Sequence, residues 1–165
     1  MWVIIKFDKK NFNLFQNEIK LKLSSSHTLY CPKVQIEKYK NNKLIKKEFN
    51  ILGDYVFCYD KKLKNEAFLS KIKFIKGLKS ILTGFIFSQE EIKNFISKCK
   101  EFENTNGYIS QNFFDLKEES NYKFSTGPFA DTIFKIINIQ KNNIKILMGN
   151  LKTTIKKKEF LFNPI

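Results

Sequence analysis

The sequence predicts an α+β chain in two parts. Three observations lead there: apolar residues recur at helical spacing in two stretches before residue 100, β-branched and aromatic runs lie between them, and beyond an unpatterned stretch the pattern turns wholly to β. The 165 residues suffice for a domain of roughly a hundred residues plus a small β module. With 18 Phe and 42% hydrophobic content, the chain has the material for packed cores.

Trp2 to Phe7 is β-branched and aromatic and reads as a first strand. Asn11 is placed to cap a helix in which Phe12, Phe15, Ile19 and Leu23 share one face, and Ser24-Ser25-Ser26 ends it. A β region from Leu29 through Pro32 to Tyr39 and another from Lys43 to Asn50 flank Asn41-Asn42, as in a hairpin. Tyr55 to Tyr59 is a compact strand, Lys61 to Ser70 a short helix, and Leu78 to Phe87 a further strand containing Gly84. Ser88-Gln89-Glu90-Glu91 has the form of a capping box, opening a helix that buries Ile92, Phe95, Ile96 and Cys99.

Periodicity disappears from Glu101 to Asn121, where Asn104-Thr105-Asn106-Gly107 is turn-forming, although Phe113, Phe114 and Leu116 suggest docking on a domain. The runs Ile133 to Ile139, Ile144 to Met148 and Thr153 to Lys157, punctuated by Asn142-Asn143 and Gly149-Asn150, then read as a small antiparallel barrel. The boundaries that follow are a domain over 1–102, a linker over 103–121 and a barrel over 122–165.

The charge balance is 30 Lys+Arg against 16 Asp+Glu, a formal +14, and every basic residue is Lys. Such a field favours non-specific association with nucleic acid or acidic surfaces. Lys lacks the planar fork that reads guanine edges, so sequence-specific base readout is not expected to be the main task. Abundant Lys, Asn, Ile and Phe without Arg also fits a compositional drift of a whole proteome. Cys31, Cys58 and Cys99 are widely spaced, with no C-x-x-C, and read as small core hydrophobes rather than a disulfide frame or zinc site. No apolar run approaches the roughly 20 residues of a membrane span, and the start is wrong for a secretory signal. A cytoplasmic, monomeric protein without membrane contact is expected.

Catalytic patterns are sparse. His27 sits in a Ser-rich loop without a nucleophile-elbow setting, and Glu90 and Glu91 diverge on their helix, so neither supplies a nucleophilic or paired-carboxylate site. Phosphate-cradling glycine motifs are missing as well. A non-enzyme without catalytic, metal or cofactor-binding residues is the reading. A hydrolase centred on His27 is a nominal alternative. Tyr55 and Phe57 share one face of their strand and Val56 and Cys58 the other. Pattern alone favours core on both faces, while a face left partly open would be an aromatic patch of the kind protein partners use.

In order along the chain, Trp2-Val3-Ile4-Ile5, Tyr30-Cys31-Pro32, the basic stretch Lys38 to Lys47, Leu52-Gly53-Asp54-Tyr55-Val56-Phe57, Ser88 to Ile92 and Gly127-Pro128-Phe129-Ala130-Asp131 resemble the motif series of the NusG family of transcription elongation factors. Leu-Gly-Asp stands before Tyr55 where that family usually has Phe-Pro-Gly, Thr132-Ile133-Phe134 stands where a glycine is usual, and Met148 replaces an aromatic. These departures resemble a specialised RfaH-like paralogue more than the housekeeping factor.

The resemblance implies a NusG-like α/β sandwich domain followed by an SH3-like, KOW-type barrel. It further implies transcription elongation and antitermination, with the first domain docking a hydrophobic pocket onto the clamp helices of the largest RNA polymerase subunit. Carried over by position, the polymerase-binding residues are Ile4, Leu52, Tyr55, Phe57, Ile92 and Phe95. The barrel's partner, ribosomal protein S-ten or Rho, would meet Phe129, Leu147 and Met148, the last two in a loop. RfaH-like relatives can refold the terminal module as a helical hairpin; here β-branched Ile favours the strand form. An RNA- or ribosome-binding basic module is the alternative of a different class.

Overall fold

A computed structural model describes residues 1–41 and 43–165. Asn42, half of the expected Asn41-Asn42 turn, and the side chain of Tyr39 lie outside the described residues. The chain divides into two compact units, one formed by residues 1–32 and 50–97, the other by 33–49 and 98–165.

The first unit is built on strands β1 (Trp2–Phe7), β2 (Thr28–Tyr30), β5 (Tyr55–Tyr59) and β6 (Leu78–Ile81), with helix α1 (Phe12–Lys22), helix α2 (Glu66–Ile72) and most of helix α3 (Gln89–Glu101). Sheet order is β2-β5-β1-β6. The pairs are antiparallel, with Ile4 opposite Phe57 and Ile5 opposite Val56. Because side chains alternate across a strand, Val3, Ile5 and Phe7 fall on one face with Val56 and Cys58. Phe15, Ile19 and Leu23 of the first helical stretch join them in the larger core, with Leu63, Ile72 and Ile75. The opposite face carries Ile4 and Phe57 and meets Ile92 and Ile96 of α3. Sequence alternation thus assigns residues to faces, and a helix on each side buries them.

Several local expectations change. Asn11 makes no side-chain cap to α1; Asp8, three residues earlier, accepts from the Lys10 amide and the Asn11 side chain. A 3-10 turn precedes the helix, so the residue that satisfies its orphan amides moves upstream. The expected helix from Lys61 to Ser70 is two pieces, a 3-10 turn over Lys61–Lys64 capped by Asp60 and α2 capped by Asn65, whose side chain accepts from the Phe68 amide. The strand expected to run from Leu78 to Phe87 ends at Ile81. Gly84 takes a φ of +85°, and the Phe87 amide bonds back to its carbonyl, so the chain turns where extension was expected.

In the second unit, β3 (Lys33–Lys40) and β4 (Lys43–Asn50) form a two-stranded sheet. A five-stranded antiparallel sheet has the order β10-β9-β8-β7-β11, from β7 (Asn121–Phe124), β8 (Ile133–Ile139), β9 (Asn143–Met148), β10 (Leu151–Lys156) and β11 (Phe162–Pro164). Its register aligns the core directly: Tyr122 faces Phe134, Ile136 faces Ile146, Ile144 faces Ile155 and Phe162 faces Phe124. All eight are buried, and Leu116, Ile139, Met148 and Phe160 close over them. The segment expected to prefer strand over helix is strand throughout β8, β9 and β10.

Candidate functional site

The apolar cluster on the α3 face of the first sheet gathers residues from four elements. Phe57 and Ile92 are each 5% exposed and Ile96 4%; Trp2, Ile4, Tyr30, Leu52, Phe85 and Phe95 are half-buried around them. The rings are in contact, with Phe57 and Phe95 centroids 5.7 Å apart and those of Tyr30 and Phe57 6.4 Å apart. Five of the six expected polymerase-binding residues, Ile4, Leu52, Phe57, Ile92 and Phe95, therefore share one cluster. Tyr55 lies outside it, its ring 5.5 Å from the Lys6 ammonium.

Burial divides these residues by role. Phe57 and Ile92 are core members, each worth about 1.5–3 kcal/mol through desolvation. Leu52, Ile4 and Phe95 keep surface in water and form the face a partner can touch. Beside them the loop after β6 leaves Leu82, Ile86 and Phe87 exposed, Phe87 at 91%. Exposed large apolar side chains thus adjoin a half-buried aromatic cluster, a patch of the kind that protein partners use.

Two polar devices hold this face in shape. Asn50 donates its side-chain amide to the Tyr55 carbonyl at 3.0 Å and accepts from the Leu52 amide at 3.1 Å, fixing the turn that presents Leu52. Gln89, the first residue of α3, accepts from the Trp2 amide at 2.9 Å and donates to the carbonyls of Trp2 and Phe85 at 2.8 and 2.7 Å. One glutamine side chain thereby ties the start of α3 to β1 and to the loop before the helix. Where the sequence suggests a capping box, Ser88 stands just before α3 and its carbonyl accepts from the Ile92 amide, while among the described residues no side-chain bond of the box ties Ser88 to Glu91. The role of Gln89, and the membership of Trp2, Tyr30 and Phe85, escaped sequence reasoning. Alternation on β1 could have found Trp2, which lies two residues from Ile4.

The residues expected at the second surface are spread out. Phe129 is 40% exposed, with its ring 5.8 Å from Phe124 and 6.2 Å from Phe160. Leu147 and Met148 lie on strand β9, not in a loop; the hairpin turn is Gly149-Asn150, and Met148 pairs directly with Leu151. Leu147 lies between Lys135 and Lys152 on the neighbouring strands, whereas Met148 packs against the core. The Gly127-to-Asp131 segment is a tight turn: Gly127 has φ +81° and Asp131 φ +69°, and the Asp131 amide bonds the Phe124 carbonyl. Within the same unit, Glu37 of the β3–β4 hairpin accepts from the Gly127 amide at 2.7 Å.

Ser24, His27 and Asp60 come together without forming a nucleophile relay. The Ser24 hydroxyl and amide both donate to Asp60 Oδ2, while His27 Nδ1 lies 2.7 Å from the Ser24 carbonyl. Asp60 is fully buried, and its other oxygen accepts from the Lys62 amide at 2.7 Å. Burial alone would raise its pKa; the Ser24 hydroxyl, the two backbone amides and the Lys62 charge outweigh it and hold the carboxyl below the ordinary value. Among the described residues, no group of three His, Cys, Asp or Glu is arranged to hold a metal ion. Nor is any helix among them long and apolar enough to cross a membrane.

Neither a family model nor a curated protein matches the chain. Among solved structures, the chain is similar over its whole length to 98% of a chain in an MjSpt4:Spt5 complex, conformation B, at 13% identity and a TM-score of 0.32. Over 94% of its length it is similar to 91% of a Thermotoga maritima NusG chain, again at 13% identity and a TM-score of 0.32. Likeness of that depth carries no weight of its own, and the fold rests on the strand order and register given above.

Proposed function

We propose that the chain is a transcription elongation and antitermination factor of NusG type, docking RNA polymerase through the apolar cluster around Phe57. The reading is supported by the ordered motif resemblance and by one structural observation above all: Ile4, Leu52, Phe57, Ile92 and Phe95, distant in sequence, form one cluster with a half-exposed rim. An amphipathic helix presents apolar side chains at i, i+3, i+4 and i+7, and a shallow aromatic face of this kind receives them. The partner helices on this reading are the clamp helices of the largest polymerase subunit. Bridging the DNA channel from there favours processive elongation. The five-stranded sheet recruits the second partner, ribosomal protein S-ten or Rho, near Phe129 and Leu147, and exposed Lys adds non-specific nucleic-acid contact.

Binding of purified cognate RNA polymerase by the wild-type protein, and by a Leu52→Ala, Phe95→Ala variant whose fold is checked first, tests the proposal. Loss of binding in the folded variant supports it. Steeply salt-dependent RNA binding with no affinity for polymerase would instead favour an RNA- or ribosome-binding module, in keeping with the +14 charge.

A further inference from the structure

A cleft of about 490 Å³ opens in the second unit between the segment 102–116 and two loops at one end of the five-stranded sheet. One wall carries Phe102, Asn112, Phe114 and Asp115; the other carries Lys141 and Lys157. Both walls are pinned. The Lys157 amide donates to the Asn142 carbonyl at 3.0 Å, which sets the loop after β10 beside the β8–β9 turn and brings the two lysines to the same cleft. On the opposite side, buried Gln111 accepts from the Phe162 amide at 2.8 Å, and the Phe114 amide bonds back to the Gln111 carbonyl. The lining also includes Leu116 and Ile139, which pack on the sheet core.

The chemistry of the lining is specific in kind. Six lysines of the described chain are held in ion pairs, but Lys141 and Lys157 are not among them. Both line a cleft whose lining contains a single carboxylate, that of Asp115. A phosphate satisfies two unpaired ammonium groups. Aromatic walls offer stacking to a planar base, and a side-chain amide such as that of Asn112 can donate to and accept from its edge. Asp115 is an acceptor suited to a ribose hydroxyl, the group that separates RNA from DNA. The volume lies within the range of small-molecule sites.

We infer that this cleft binds one ribonucleotide, with Lys141 and Lys157 on the phosphate, Phe102 and Phe114 against the base and Asp115 toward the ribose. The ligand is a free nucleotide or one residue of an RNA chain; the chemistry is the same. The site uses none of the residues assigned to polymerase docking, so it stands or falls independently of that reading.

The test is a titration of the full chain, followed by amide NMR, with AMP, dAMP, adenosine, inorganic phosphate and the ribo-tetranucleotide ApApApA. Two variants accompany it: Lys141→Ala with Lys157→Ala, and a control, Lys145→Ala with Lys152→Ala, which removes the same charge from strands β9 and β10. Saturable shifts at Asn112, Asn142 and Lys157 with AMP or the tetranucleotide are expected. Binding should fall about tenfold or more in the first variant and stay within about twofold in the control. AMP should exceed both dAMP and adenosine. A tetranucleotide that binds tighter than AMP identifies RNA as the source, and the reverse order identifies a free nucleotide. Absence of saturable shifts, equal response to inorganic phosphate, or equal loss in both variants would overturn the inference.

Discussion

Phe57 on β5 and Phe95 on α3 meet with ring centroids 5.7 Å apart, one side chain in the core and the other at its rim. The pair joins the stability of the first unit to its proposed working surface, and the two substitutions should separate accordingly. Phe57→Ala opens a cavity beneath α3 and should cost about 3–5 kcal/mol, whereas Phe95→Ala should cost about 1 kcal/mol. Urea unfolding of the two variants distinguishes them, and a partner-binding variant should be built on Phe95 rather than Phe57.

Asp60 gives the first unit a definite pH dependence. Its carboxyl sits below the ordinary value in the folded state, so the unfolded chain binds the proton more readily. The stabilisation is fully present above the ordinary carboxylate pKa, about 4, and is lost as pH falls through the lower folded value. Asp60→Asn puts an amide donor among the Ser24 and Lys62 donors and should cost about 1–3 kcal/mol at neutral pH. Urea midpoints measured from pH 7 to pH 3 should fall less steeply in that variant than in wild type.

Gly127 has no room for a side chain. Its φ of +81° disfavours any L residue, and an added Cβ would lie 2.6 Å from the Phe160 ring. Gly127→Ala should destabilise the second unit by about 2 kcal/mol or more. Weakened hydrogen-exchange protection on β7 and β11, beside the displaced Phe160, is the accompanying signature.

Cysteine labelling offers a simple check of burial in both units. Burial, with the Asp60 charge nearby, pushes the Cys58 thiol up to about 12. Cys58 and Cys99 are buried, and Cys31 is half-buried. At pH 8 a maleimide should modify Cys31 first, with Cys58 and Cys99 reacting only after denaturant is added.

Local pattern exposed much of this architecture and missed its long-range ties. Alternation along Tyr55 to Tyr59 separates Tyr55 and Phe57 from Val56 and Cys58, and the two faces of that strand are covered by different helices. Alternation likewise located β8 and β9, whose inward residues pair directly. The end of β6 was hidden: apolar character continues past Ile81 through Leu82, Phe85, Ile86 and Phe87, and only the positive φ of Gly84 turns the chain. Gln89 gave no signal because its partners, Trp2 and Phe85, are brought to it by the fold. The same holds for Ser24 and Asp60, whose carboxylate looks unremarkable in sequence. Of the candidate site, five of the six residues named by the motif resemblance lie in one cluster, and Tyr55, on the same strand face as Phe57, sits against its cross-strand partner Lys6.

The central claim is that the half-exposed rim around Phe57 is a polymerase-docking surface. Titration of cognate RNA polymerase with fluorescently labelled wild type and with a folded Leu52→Ala, Phe95→Ala variant tests it most directly. Saturable wild-type binding, weakened about tenfold or more in the variant, is the predicted result. Equal binding by both proteins, or no binding by either, would contradict the account.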